Sequence, residues 1–220
     1  MKKKVLLSVI LLIFIGGGIS YYFWDKEVKA QKAAEELAYQ EKLAADELAY
    51  EEKLADTLLL LEKSTTNSAI LASTYQEYWG AIINGGIPFP KLSNGLGIDE
   101  EVLRGMTDYS TRGHFRHNVS GLKQGEFNIV IQMVELAKTE DANQILEEHQ
   151  GITSVLSELK GPAAKYEDLY NDILEIYEQY DTFAGLATAP SGSYVEYSKN
   201  INALYDNISS KIATAKLKFN

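Results

Sequence analysis

With 220 residues, 45% of them hydrophobic, the chain is long enough to bury a substantial core. Its net charge of −10 repels phosphate backbones and argues against generic nucleic-acid binding. The absence of cysteine excludes disulfides, thiolate metal sites and cysteine nucleophiles.

Residues 1–4 form a basic tip, in which Lys2, Lys3 and Lys4 precede an uncharged run from Val5 to Trp24. About 20 residues at about 1.5 Å rise match the ~30 Å hydrocarbon core of a bilayer, so residues 5–24 are expected to form a transmembrane helix. Tyr21, Tyr22, Phe23 and Trp24 close the run with ring types that favour the membrane interface, and the lysines favour a cytoplasmic N-terminus. The competing pattern is a signal peptide cut near Gly18-Ile19-Ser20, which would leave a secreted protein. The layout of basic tip, span, stalk and helical domain has the general look of a bacterial envelope protein, and both readings place the rest of the chain outside the cytoplasm. That part holds all 31 acidic residues and 18 of the 21 Lys and Arg, a charge of −13.

Residues 25–57 read as a helical stalk, rich in Ala, Glu, Lys and Leu and free of Gly and Pro. Ala34 to Ala44 is followed directly by a copy, Ala45 to Ala55, that differs at two positions. Eleven residues make three turns, so Leu37, Ala44, Leu48 and Ala55 stay on one stripe, and Tyr39, Leu43, Tyr50 and Leu54 on another. The stalk is either a charged spacer or a seam for coiled-coil self-association.

Residues 58–220 read as an all-α, antiparallel four- or five-helix bundle. Its first helix continues from the stalk through Leu58, Leu61, Ser68, Leu71, Tyr75, Tyr78 and Ile82, and ends at Asn84-Gly85-Gly86. A 15-residue loop, 84–98, follows. Ile87, Phe89, Leu92 and Leu96 make it either an apolar partner-contact surface or a lid over the end of the core. Asp99 is a candidate N-cap for an interrupted helical region reaching Lys138, with Phe115, Val119, Leu122, Ile129, Met133 and Leu136 facing inward. From about Asp141 to Leu159, the residues Ile145, His149, Ile152, Leu156 and Leu159 share a stripe, His149 as a core histidine with a satisfied ring nitrogen. After Gly161-Pro162 the residues Tyr166, Leu169, Ile173, Ile176, Tyr180, Phe183 and Ala187 recur in steps of three and four. Ser193 and Glu196 form a capping box for the last helix, which turns Tyr194, Tyr197, Ile201, Leu204, Ile208, Ile212, Ala215 and Phe219 inward.

Arg104, Arg112 and Arg116 are the only arginines, and His114 and His117 lie among them. In an acidic domain this island suits an anion, either a small one or a phosphate-bearing envelope polymer, or else it is neutralised by neighbouring carboxylates. No metal or cofactor is expected, because neither Glu-x-x-His nor His-Glu-x-x-His occurs. No nucleophile elbow, phosphate-binding loop or dinucleotide fingerprint occurs either, so the chain is not expected to be an enzyme. The expected role is a membrane-anchored, extracytoplasmic module that binds a protein or envelope component, and the alternative is an anion-binding bundle built on residues 104–117.

Overall fold

The computed structural model describes the backbone of residues 2–110, 121–123, 126–161 and 164–219, and within these the side chains from Lys26 onward except residues 108–110. The described chain is all-α. Its helices are α1 (Lys2–Ile83), α2 (Phe89–Leu96), α3 (Glu100–Ser110), α4 (Phe127–Ala137), α5 (Thr139–Glu158), α6 (Glu167–Thr188) and α7 (Tyr194–Lys216). Two strands of two residues, β1 (Ile87–Pro88) and β2 (Gly121–Leu122), are the only sheet among the described residues. By its internal contacts the chain divides into two units, Met1–Glu51 and Glu52–Asn220.

In the first unit, Leu37, Tyr39, Leu43 and Leu48 are all exposed, so neither stripe of the eleven-residue repeat is covered there. Among the described residues no helix is long and apolar enough to cross a membrane. The expected span at 5–24 rests on side chains that lie outside the described residues.

In the second unit the repeat of the sequence changes. Leu54, Leu61, Ser68, Tyr75 and Ile82 recur every seven residues and are all buried, as are Leu58, Thr65, Ala72 and Trp79 between them. A seven-residue period keeps one seam facing its neighbours in a left-handed bundle, whereas an eleven-residue period does not. Leu54 thus belongs to the bundle core although it lies within the second repeat. The register of the helices follows from their paired side chains. Lys53 meets Glu158 at 3.3 Å and Lys63 meets Glu148 at 3.0 Å, so the 52–83 part of α1 runs antiparallel to α5. Against α7, Glu62 pairs with Lys216 at 2.6 Å and Trp79 stacks on Tyr197 at 5.7 Å, again antiparallel. Thr153 with Tyr177 and His149 with Asp181 set α5 against α6, and Glu175 with Lys211 and Asp172 with Lys218 set α6 against α7.

The heptad stripe of α6 is inward throughout: Tyr166, Leu169, Ile173, Ile176, Tyr180, Phe183 and Ala187 are all buried. Each such aliphatic side chain contributes roughly 1.5–3 kcal/mol on leaving water. The Ser193 hydroxyl accepts from the Glu196 backbone N–H at 3.2 Å and the Glu196 carboxylate accepts from the Ser193 backbone N–H, completing the capping box of α7. Asp99 accepts from the Glu101 N–H at 2.7 Å, which caps α3.

Two expectations change. The segment 84–98 is not a loop but a strand and a helix, and Ile87, Phe89, Leu92 and Leu96 are buried rather than displayed. α2 packs on α3, α4 and both strands, and its Gly95 abuts the Tyr78 hydroxyl of α1, so these four residues roof a small lobe that rests on the bundle. Gly86 and Gly121 permit this roof. Gly86 has φ +102°, and a Cβ on it would run into the Leu122 carbonyl, while one on Gly121 would overlap the Ile87 carbonyl. The strands pair antiparallel with Ile87 opposite Leu122. The second change concerns α4, whose buried face is Ile129, Val130, Met133 and Val134, with Leu136 exposed. Eight of its eleven residues are apolar, too many for periodicity to single out one face. Phe115 and Val119 lie outside the described residues.

Candidate functional site

The residues expected to bind an anion are only partly in view. Arg104, in α3, forms an ion pair with Glu100 one turn earlier and lies over the Phe89 ring at 4.8 Å. Its guanidinium therefore serves the roof of the lobe, by charge pairing and cation–π contact. Arg112, His114, Arg116 and His117 lie outside the described residues. Ile87, Phe89, Leu92 and Leu96 form the inner surface of that roof.

A polar seam crosses the bundle between α1, α5 and α6. The Ser64 hydroxyl and the Tyr180 phenol, both fully buried, are 2.5 Å apart. The nearby Glu148 carboxylate accepts from Asn67 at 3.0 Å and Gln144 at 3.0 Å and pairs with Lys63. Burial raises the pKa of Glu148, but Gln144, Lys63, Ser64 and Asn67 outweigh it and hold the group below the ordinary carboxylate value. Burial likewise pushes Tyr180 up to about 12, against a lowering by Ser64. His149 is only partly buried. Its Nε2 lies 2.7 Å from Asp181 and 3.3 Å from the Tyr177 hydroxyl, and its ring lies tilted against both Tyr177 and Tyr180, whose own rings are 6.5 Å apart. Every polar atom named in this seam has a partner within it, which makes it a device for aligning helices rather than an open site.

Two of the concavities have volumes of about 360 Å³. One, between α1 and α7, is flanked by the Glu62–Lys216 pair and includes the buried Thr65 hydroxyl, which has no hydrogen-bond partner among the described residues. Another lies where the end of α1, the outer face of α4 and the α6–α7 turn at Pro190–Gly192 come together. Its apolar part is Trp79, Phe127 and Ile131, and its polar part is Asn128, Gln132 and Glu135. These three polar residues fall at steps of four and three, one turn apart on a single face of α4. Among the described residues no hydrogen bond or ion pair engages their side chains, and none engages the indole N–H of Trp79. Trp79 is nevertheless nine-tenths buried, held edge-on by Tyr194 at 6.0 Å and tilted against Tyr197. Burial first, then the nearby Glu135 carboxylate, pushes Tyr75 up to about 12.

Volume, an apolar part that includes Trp79, and unengaged polar groups make this groove a candidate binding site among the described residues. The sequence signal for it is the polar stripe Asn128, Gln132, Glu135 inside an otherwise apolar helix, which a search for inward-facing residues passes over. Among the described residues no group of three or more acidic or histidine side chains is placed to hold a metal ion. No protein-family model, curated protein or solved structure matches the chain.

Proposed function

We propose that the chain is a membrane-anchored recognition module of the cell envelope, with residues 5–24 as its single span, residues 25–57 as a stalk, and the helical bundle outside the cytoplasm as the part that binds a protein or envelope component. The groove between α1 and α4 carries the recognition part of this reading: among the described residues it gathers the side chains of Asn128, Gln132 and Glu135 and the Trp79 indole, none of them engaged in a hydrogen bond, beside the apolar Phe127 and Ile131. The basic tip, apolar run and interfacial aromatics support the anchor and its direction. The anion alternative at residues 104–117 has less behind it, since Arg104 is already occupied by Glu100 and Phe89.

The cysteine-free sequence makes the topology test direct. In intact producing cells, a membrane-impermeant maleimide should label Gln31→Cys, and should reach Lys3→Cys only after permeabilisation. The reverse pattern overturns the exported arrangement. For recognition, a photo-crosslinking residue at Gln132 should give a discrete adduct in those cells, and one at the exposed Ser154 on α5 should not. No adduct at Gln132 would remove the groove from the reading.

A further inference from the structure

The chemistry of the groove narrows what it takes, granted the reading of it as a recognition site. Anions are disfavoured on three counts. Glu135 places in the lining a carboxylate that has no ion-pair partner among the described residues, and the Glu196 carboxylate already occupies the N-terminus of α7 beside the groove. The chain as a whole carries −10. Cations are poorly served, because one exposed carboxylate faces two neutral amides. A purely apolar ligand would leave Asn128, Gln132, Glu135 and the Trp79 N–H without partners, at a cost for each group desolvated. What remains is an uncharged molecule that has an apolar face and many hydroxyls able both to donate and to accept.

The two lining surfaces have that complementarity. Side-chain amides offer a donor and an acceptor in one plane, a carboxylate accepts from two hydroxyls, and an indole N–H donates. Asn128, Gln132 and Glu135 present these groups along about 10 Å of helix face, at about 1.5 Å rise per residue. That is the length of roughly two linked hexose rings. Trp79, Phe127 and Ile131 supply the apolar part of the lining, which suits the C–H face of a pyranose. We infer that the groove formed by Trp79, Phe127, Asn128, Ile131, Gln132 and Glu135 binds an uncharged oligosaccharide, with the amides and the carboxylate reading its hydroxyls.

Trp79 provides the readout. The chain has one other tryptophan, Trp24, so the Trp24→Phe form of the full chain in nanodiscs reports on the groove alone. Titration with chitotetraose or cellotetraose should change its emission saturably, with half-saturation below about 1 mM. Asn128→Ala with Gln132→Ala should weaken binding by about tenfold or more, each neutral hydrogen bond contributing up to about tenfold. Both side chains are exposed, so the melting temperature should stay the same and a folding defect is separable from lost binding. No saturable change with either sugar overturns the inference, as does an equal response in the double variant. A response to inorganic phosphate in place of the sugars overturns it too. If the sugars fail while Gln132 still yields its adduct in cells, recognition stands and only the sugar chemistry falls; if both fail, both readings fall.

Discussion

Replacing Tyr180 with Phe removes one hydroxyl and leaves Ser64 Oγ, fully buried, without its phenol partner. A buried polar atom stripped of its partner costs roughly 1–2 kcal/mol, more than the net worth of the bond itself. For a chain of this size that is a fall in melting temperature of roughly 2–8 °C. Ser64→Ala should cost at least as much, because it strands the Tyr180 hydroxyl and also takes one donor from Glu148. Adding Tyr180→Phe to Ser64→Ala then removes a stranded group and should be neutral or stabilising. The coupling between the two sites should therefore be about 1 kcal/mol or more, well above the ~0.5 kcal/mol seen for independent sites. Urea unfolding of the four forms in nonionic detergent, followed by circular dichroism, gives all the terms. Equal costs of Tyr180→Phe in both backgrounds would show that the hydroxyls do not bond, and the assignment of the seam as a helix-aligning device would go with it.

The titrating groups define two pH limbs. Glu148 has a lowered folded pKa, so its stabilisation is complete above pH 4.5 and is lost as pH falls through that lowered value; Glu148→Gln should flatten the acid limb of a stability profile. Tyr75 and Tyr180 are raised from 10 to about 12, so the folded chain keeps protons that the unfolded chain releases, and stability should fall between pH 10 and 12. Gly121→Ala should destabilise by roughly 1–3 kcal/mol, because its methyl group would meet the Ile87 carbonyl; a neutral result in thermal unfolding would refute the β1–β2 register. Leu61→Ala should cost roughly 2–5 kcal/mol and Leu48→Ala less than about 0.5, and similar costs would contradict the change from an exposed to a buried face along α1.

Some of this was readable in advance because it depends on neighbours in the chain. The steps of three and four in Tyr166 to Ala187 predict the buried face of α6 residue by residue, since helical geometry alone brings those positions together. The Ser193–Glu196 box and the halt at Gly85-Gly86 are equally local. The change from an eleven- to a seven-residue period is visible too, and it falls at Leu54, close to the division between Glu51 and Glu52.

Other features depend on contacts that no local pattern encodes. Ser64 and Tyr180 are 116 residues apart, and hydroxyls on apolar stripes give no sign of which of them will meet. The apolar run Ile87 to Leu96 reads equally as a display surface or a roof, because hydrophobicity says that a side chain seeks cover and not what covers it. The presence of α3, α4 and β2 beside it decides for the roof. In the same way, Asn128, Gln132 and Glu135 are ordinary exposed polar residues along the chain. They become a site only because tertiary packing sets the nearly buried Trp79 and the Pro190–Gly192 turn against their helix face. The sequence by itself determined the helices, their ends and most of their inward faces. The pairing of those faces, and with it the polar seam and the groove, was decided by packing between segments far apart in the chain.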